Sequence, residues 1–347
     1  MLTKNAAKAL IATLLLAVMI IPSWAQQAPT RIRFTLDWLF QGPSAFFILP
    51  LAKGYFKDEG LDVTVDVGNG SAGVLTRVAA GSHDMALADV SAFTEFLGQN
   101  PSSPQAQLQG IFSLYDASPA AIVTLRRSGI TKPKDFEGKT IGAPISDAGR
   151  KAFPIFARAN GIDMSKIKWS TMEPALRETM LVRNEVDAVT GFLFSNWFSL
   201  LQRGAKEEDI VAFKYSDHGA TLYGSFIVAS PKLIAEQPDA IRRFNRALVK
   251  GVREVIQNPE AAMQFVKARD PLIDVALETR RLKMAIDISV KTANTVSNGI
   301  GAVNKVRLEN STAEVVAAFA LKTPPVVDNM FNSSFLPARG DRMVFAK

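Results

Sequence analysis

LTRVAAGSHDMALADVSAF (residues 75–93) and TMLVRNEVDAVTGFLFSNW (179–197) follow one grammar. In each, an amphipathic helix ends at Gly81 or Asn184, residue types that tolerate a left-handed cap. Asp84 or Asp187 follows three residues later, and a buried strand then runs straight into another helix. Units of this kind build a mostly parallel sheet with helices on its faces. Two copies imply two lobes of one design, each with loops at the carboxyl ends of its strands, where open α/β sheets hold ligands.

The flanking chain extends both copies. TRIRFTLDW (30–38) alternates as a half-buried strand, and Gly42-Pro43 opens an apolar helix through Phe46 and Phe47. LDVTVDV is a strand, 71–80 a helix and LQGIFSLY a further strand. A second set begins near 118: strands AAIVTL, KTIGAP, KIKWSTM and VDAVTGF, with helices over 147–160 and 175–183. The chain is expected to cross between lobes near 116–120 and return near 218–226. This gives lobe one as 26–117 with 222–347, lobe two as 118–221, and a two-strand hinge. PDAIRRFNRALVKGVREVI places Ile241, Phe244, Leu248, Val252 and Val255 on one stripe, a helix packed on a sheet. Helices over 259–268, 274–294 and 311–321 follow and are expected to cover the first lobe.

Composition narrows the function. Lys4 and Lys8, the apolar run 9–21 and small Ser23 and Ala25 before Gln26 read as a cleaved secretory signal over 1–25. The apolar run is too short to span a bilayer. No cysteine is present, so the chain has neither a lipid-attachment residue nor a disulfide framework. A soluble periplasmic protein of 322 residues is the expectation. Without Lys4 and Lys8 the formal charge falls from +7 to +5, and the remaining basic residues are scattered beside acids. Nucleic acid is not the expected partner. His83 and His218 lack companions at metal spacing, and no Gly-x-Ser-x-Gly elbow occurs.

Gly68-x-Gly70-x-x-Gly73, with Asp89 beyond the next strand, satisfies a dinucleotide fingerprint. Two facts oppose that reading: the run follows the second strand rather than the first, and an exported chain would have to find its cofactor in the periplasm. No cofactor is implied. The glycines instead let a strand turn sharply into a helix whose free N–H groups face a small ligand.

LDW followed by an aromatic-rich helix, GYFKDEGLDVTVDVGNGS and GSHDMALADVSAF, together with KPKDFEGKTIGAP, EVDAVTGF and NSSFLP, carry a resemblance. The mature chain resembles the substrate-binding proteins of ABC importers for sulfonates, taurine, nitrate and thiamine-pyrimidine precursors. The resemblance implies a type II periplasmic binding fold, in which two hinged α/β lobes close on one solute. It also implies a permease and an ATPase as partners; a monomer is expected, and the missing elbow and the two isolated histidines give no support for catalysis. A fungal pyrimidine synthase of the same family uses a histidine and a cysteine-rich motif, and this chain has no cysteine.

Candidate ligand residues lie at the strand ends. Asp37 and Trp38 match the family's Asp-Trp, as acceptor and stacking wall. The pair continues as LFQGPSAFF where relatives that bind the pyrimidine precursor carry Pro-Asn and a His, leaving Gln41 and Phe46 or Phe47 as substitutes. Asn69, Gly70 and Ser71 open a helix, with Ser71 either touching the ligand or capping that helix. Asp89 and Ser91 sit on the next strand end, as ligand contacts or as a loop staple. Ser146 or Asp147 caps the helix that carries Arg150, which either clamps a carboxylate or lies exposed. Glu173 is a candidate acceptor. Phe192, Phe194 and Trp197, with Asn196, form either a ring-binding wall or core. Tyr115 and Tyr223 flank the crossovers, reaching the cleft or packing the hinge. The reading is a solute receptor for a planar aromatic or heteroaromatic molecule, an aromatic carboxylate or a pyrimidine- or flavin-like ring. A sulfonate, taurine or nitrate binder is the alternative.

Overall fold

The computed structural model describes residues 28–345. The signal read over 1–25 lies outside the described residues. Strands β1 (Thr30–Thr35), β2 (Leu61–Asp66), β3 (Met85–Asp89) and β4 (Gln109–Ala117) belong to the first sheet. Helices α1 (Ala45–Ala52), α2 (Ser71–Ala79) and α3 (Val90–Gln99) connect them. β5 (Ala120–Leu125), β6 (Thr140–Ala143), β7 (Lys168–Thr171), β8 (Ala188–Phe192) and β9 (Ile210–Lys214) form the second sheet, with helices α4 (Ala148–Ala159), α5 (Arg177–Val182) and α6 (Leu193–Gln202). β10 (Tyr223–Ala229) returns to the first sheet. The strand orders are β2-β1-β3-β10-β4 and β7-β6-β8-β5-β9. Each sheet therefore has three parallel strands, with the strand next to them antiparallel and joined to its edge strand.

That matching order is the two-lobe architecture of the type II periplasmic binding fold. Only Ser118 and Pro119 separate β4 from β5. The return runs from β9 through a turn at Tyr215–His218 into β10. The two crossings are tied where Ser118 N donates to Leu222 O at 3.3 Å.

The tail is helical: α7 (Pro238–Gln257), α8 (Pro259–Arg269), α9 (Val275–Ala285) and α10 (Lys305–Phe319). α7 buries Ile241, Phe244, Leu248, Val252 and Val255, the stripe read from its periodicity, and Phe244 packs on Phe34 of β1 and on Phe56. Two expectations need correction. The helix read over 274–294 breaks: α9 ends at Ala285, a π turn covers Ile286–Val290, and Thr292 caps a separate short helix. The tail also does more than cover the first lobe, because α9 packs on α6, and α10 packs on both α3 and α4. Leu308 joins the apolar cluster around β3 and β10, while Val315, two turns on, joins the second lobe's core. No helix among the described residues is long and apolar enough to cross a membrane.

Candidate functional site

The strand ends of the two sheets meet face to face. Ser146 Oγ, from the loop after β6, donates to Asn69 O at 2.6 Å, and Ala72 N donates to Ser146 O at 3.3 Å. A Cβ on Gly70 would lie 2.3 Å from Ser146 O, and φ at Gly70 is +123°, so only glycine permits this approach. Gly68 plays the same part within the first lobe, where a Cβ would lie 2.1 Å from Leu36 O. These contacts, rather than a pyrophosphate, explain the glycine run. Deeper in, Ser195 Oγ donates to Gln41 Oε1 at 2.9 Å, and the Arg177 guanidinium stacks on Trp38, 4.5 Å from its ring centre. Together the contacts roof a cleft of about 540 Å³, counting space open to solvent.

The first lobe supplies Leu36, Asp37, Trp38, Gln41, Ser44, Phe47, Gly70, Ser71, Leu87 and Tyr115 to the lining. The second supplies Asp147, Ala148, Arg177, Phe192, Phe194 and Ser195. Tyr115 meets Phe192 and Phe194 edge-on, with centroids 6.2 and 5.8 Å away, so the aromatic wall spans both lobes. Asp37 is buried. Desolvation, then the nearby Asp89 and Asp147, push its carboxyl up to about 7. Asp89 is likewise raised to about 7 by burial, against the N–H bonds it accepts from Ser91 and Ala92. Burial, with Asp37 nearby, holds the Tyr115 hydroxyl well above its usual range.

Arg177 is the one cation of this lining, and both faces of its fork are taken. Its Nη1 donates to Asp147 Oδ2 at 2.9 Å, while Nε and Nη2 hold Glu178 Oε1 at 2.9 and 2.7 Å. Asp147 Oδ1 accepts from Arg150 N and Thr190 Oγ1, at 2.8 and 3.0 Å. The cleft therefore presents carboxylate acceptors and aromatic faces, with no positive charge left over at its lining.

Of the candidate residues, Asp37, Trp38, Gln41, Gly70, Ser71, Tyr115, Asp147 and Phe192 line the cleft, as does Phe194. Ser71 does not cap its own helix, and its Oγ accepts from Asp89 N at 3.0 Å. The rest are placed elsewhere. Phe46 points into the first-lobe core, and its neighbour Phe47 reaches the lining. Asn69 contributes its carbonyl to Ser146, and its side chain packs on Gly73. Asp89 staples the start of α3, with Ser91 buried beside it. Ser146 bridges the lobes rather than capping α4, which Asp147 does. Arg150 folds back onto Ala143 O and Thr171 and stacks on Trp169, so it clamps nothing in the cleft. Glu173 precedes the turn into α5, off the lining. Asn196 is fully buried behind Arg177, its amide facing Gly191. Trp197 turns away, its Nε1 donating to Glu207 at 3.3 Å. Tyr223 packs the hinge, where its hydroxyl accepts from Asn304 N at 2.8 Å and Arg307 covers its ring. Sequence reasoning missed Arg177, Ser195, Ser44 and Leu87; PALRETM offers no sign that its arginine is buried.

Curated relatives align along most of the chain. A riboflavin-binding protein, RibY, of Chloroflexus aurantiacus is 24% identical, covering 90% of this chain and 88% of its own. A formylaminopyrimidine-binding protein of Halalkalibacterium halodurans is 21% identical, covering 93% and 98%. A 4-amino-5-hydroxymethyl-2-methylpyrimidine phosphate synthase of Aspergillus parasiticus is 24% identical, covering 70% and 72%. Among solved structures, the alkanesulfonate-binding protein SsuA of Xanthomonas axonopodis pv. citri bound to MOPS superposes with a TM-score of 0.67. It is 13% identical, and the match covers 88% of this chain and 99% of that one. Residues 43–262 match the family model described as NMT1/THI5 like, and the chain belongs to that family.

Proposed function

We propose that this chain is the periplasmic solute receptor of an ABC import system, closing on a planar nitrogen heteroaromatic that bears N–H donors on its edge. The lobes are 26–117 with 222–347, and 118–221, and the closed form is what a permease and its ATPase recognise. One observation carries the choice of ligand class: Asp37 and Asp147 face the cleft, and Arg177 is already held by Asp147 and Glu178. A sulfonate, nitrate or carboxylate would enter beside the unpaired Asp37 carboxyl without a free cation, whereas a ring N–H or amino group finds an acceptor there. Trp38, Tyr115, Phe192 and Phe194 supply the faces such a ring packs on. Relatives named for riboflavin and for formylaminopyrimidine agree with that class. The synthase named among the relatives is a weaker guide, since a chain without cysteine cannot supply the cysteine-rich motif of the fungal enzymes.

The test is a thermal-shift and calorimetric panel on protein unfolded and refolded to strip carried-over solute. Flavins and aminopyrimidines should stabilise the fold, by about 2.7 kcal/mol at 100 times the dissociation constant. Asp37→Asn and Trp38→Ala should weaken that response. Stabilisation by taurine, nitrate or benzoate alone, or turnover of a pyrimidine precursor, would overturn the proposal.

A further inference from the structure

Beyond the identity of the solute, the contacts between lobes are unequal, and they assign which edge of the cleft opens. We infer that the buried Glu278–Arg281 pair on α9 is a fixed strap forming part of the pivot, so that opening separates the Asn69–Ser146 edge while α6 stays on α9.

Arg281 and Glu278 are 1% and 5% exposed and pair at 2.8 Å. Arg281 Nη1 donates to Phe194 O and Ser195 O, at 3.2 and 2.7 Å, in the first turn of α6. Glu278 Oε2 accepts from Gly42 N at 2.5 Å, and a Cβ on Gly42 would lie 2.2 Å from Glu278 O. The pair thus holds a second-lobe segment and a first-lobe segment that both reach the cleft. It also lies beside the crossover, because Leu193 N donates to Pro119 O at 2.8 Å.

Separating α6 from α9 would hydrate two buried charges and take the Arg281 bonds from two helix carbonyls. Away from the strap one ion pair, Lys151–Glu95 at 3.1 Å, joins α4 to α3, and the rim of the opposite edge is held more lightly. There the two hydrogen bonds of Ser146 join backbone and hydroxyl groups beside exposed Ile145 and Val67, which are 68% and 38% exposed. Exposed bonds of this kind exchange for water at little net cost. The light edge breaks first and the strap persists.

The absence of cysteine permits clean pairwise spin labelling. One label pair, at Val67 and Ile145, spans the light edge. The other, at Glu207 and Arg280, spans the strap by replacing an exposed ion pair. A Ser146→Trp wedge requires no ligand and separates this inference from the proposed solute class. With the wedge, the 67–145 distance should lengthen while the 207–280 distance stays within its original distribution. Lengthening of both, or of 207–280 alone, or of neither, would overturn the inference. In a Glu278→Met/Arg281→Met background, which keeps the volume and removes the charges, the wedge should broaden the 207–280 distribution as well. An unchanged distribution there would show that the ion pair is not the strap.

Discussion

The two walls of the cleft are built from the same unit yet end in opposite chemistry. On the first lobe, β3 ends in Asp89, which accepts the N–H groups of Ser91 and Ala92 and starts α3 with a buried acid. On the second, β8 ends in Phe192, which caps nothing, and α6 begins with Leu193 N bonded to Pro119 O instead. A single junction residue thus ends one strand in a buried polar cap behind the cleft and the other in an aromatic side chain at its lining. The acids differ as well: Asp89 accepts the neutral N–H groups of Ser91 and Ala92 and Asp37 has no ion-pair partner among the described residues, whereas Asp147 is neutralised by Arg177. Of these three acids, the second-lobe one is satisfied by ion pairing, and the two first-lobe ones are left to pKa shifts.

The largest way to break that contrast is to remove the cation. Arg177→Met leaves Asp147 and Glu178, at 3% exposure each, as unpaired buried acids. Breaking such a network from one side costs about 3–5 kcal/mol. Urea denaturation at neutral pH should show a loss of that size. A loss below about 1 kcal/mol would mean water reaches these acids and the contrast between walls is false.

The second prediction concerns the first lobe and pH. Asp37 and Asp89 have folded-state values of about 7, above their unfolded values, so the native state holds more protons than the unfolded chain between roughly pH 4 and 7. Stability therefore falls as pH rises through that window, by at most about 1.4 kcal/mol per pH unit for each group. Asp89→Asn should flatten the slope measured by denaturation from pH 5 to 8, and gain relative to wild type toward pH 8. Glu137 shifts the other way, to about 2, and its contribution is lost only below that range, as pH falls. A wild-type slope of zero between pH 5 and 7 would contradict the buried acids.

Gln41 joins the walls, so its effect should be smaller. Gln41→Ala removes the bond from Ser195 and takes the acceptor from its buried hydroxyl. The cost should be about 0.5–1.5 kcal/mol. It should appear chiefly as lost stability with little change in solute dissociation, because Gln41 and Ser195 sit on the segments that the Glu278–Arg281 strap keeps together.

Much of this arrangement was legible from residue order, because strand and helix periods are local properties. The five-residue stripe of α7 rests on such a pattern. What escaped depends on contacts distant in sequence. Arg177 is buried only because Asp147, thirty residues earlier, and Trp38 on the other lobe close over it. Helix α1, AFFILPLA, is apolar all round, so no periodicity could choose Phe47 over Phe46 for the cleft. Amphipathicity in α10 shows that a face is buried but not that Leu308 and Val315 are buried by different lobes.

The smallest expected effect is the sharpest check on that last distinction. Trp197 and Trp38 both come from loops or helices at strand ends, and composition treats them alike. Their surroundings do not: Trp38 lies under Arg177 in the cleft, while Trp197 packs with the outer core around α6 and donates to the exposed Glu207. Trp197→Phe keeps the aromatic packing and loses one exposed hydrogen bond, so stability should change by less than about 1 kcal/mol. Solute affinity by calorimetry should be unchanged. In that variant the fluorescence of Trp38 should still respond to the solute, with less background from a distant indole. A tenfold loss of affinity in Trp197→Phe would move the second lobe's part of the aromatic wall one helical turn along α6, from Phe194 to Trp197.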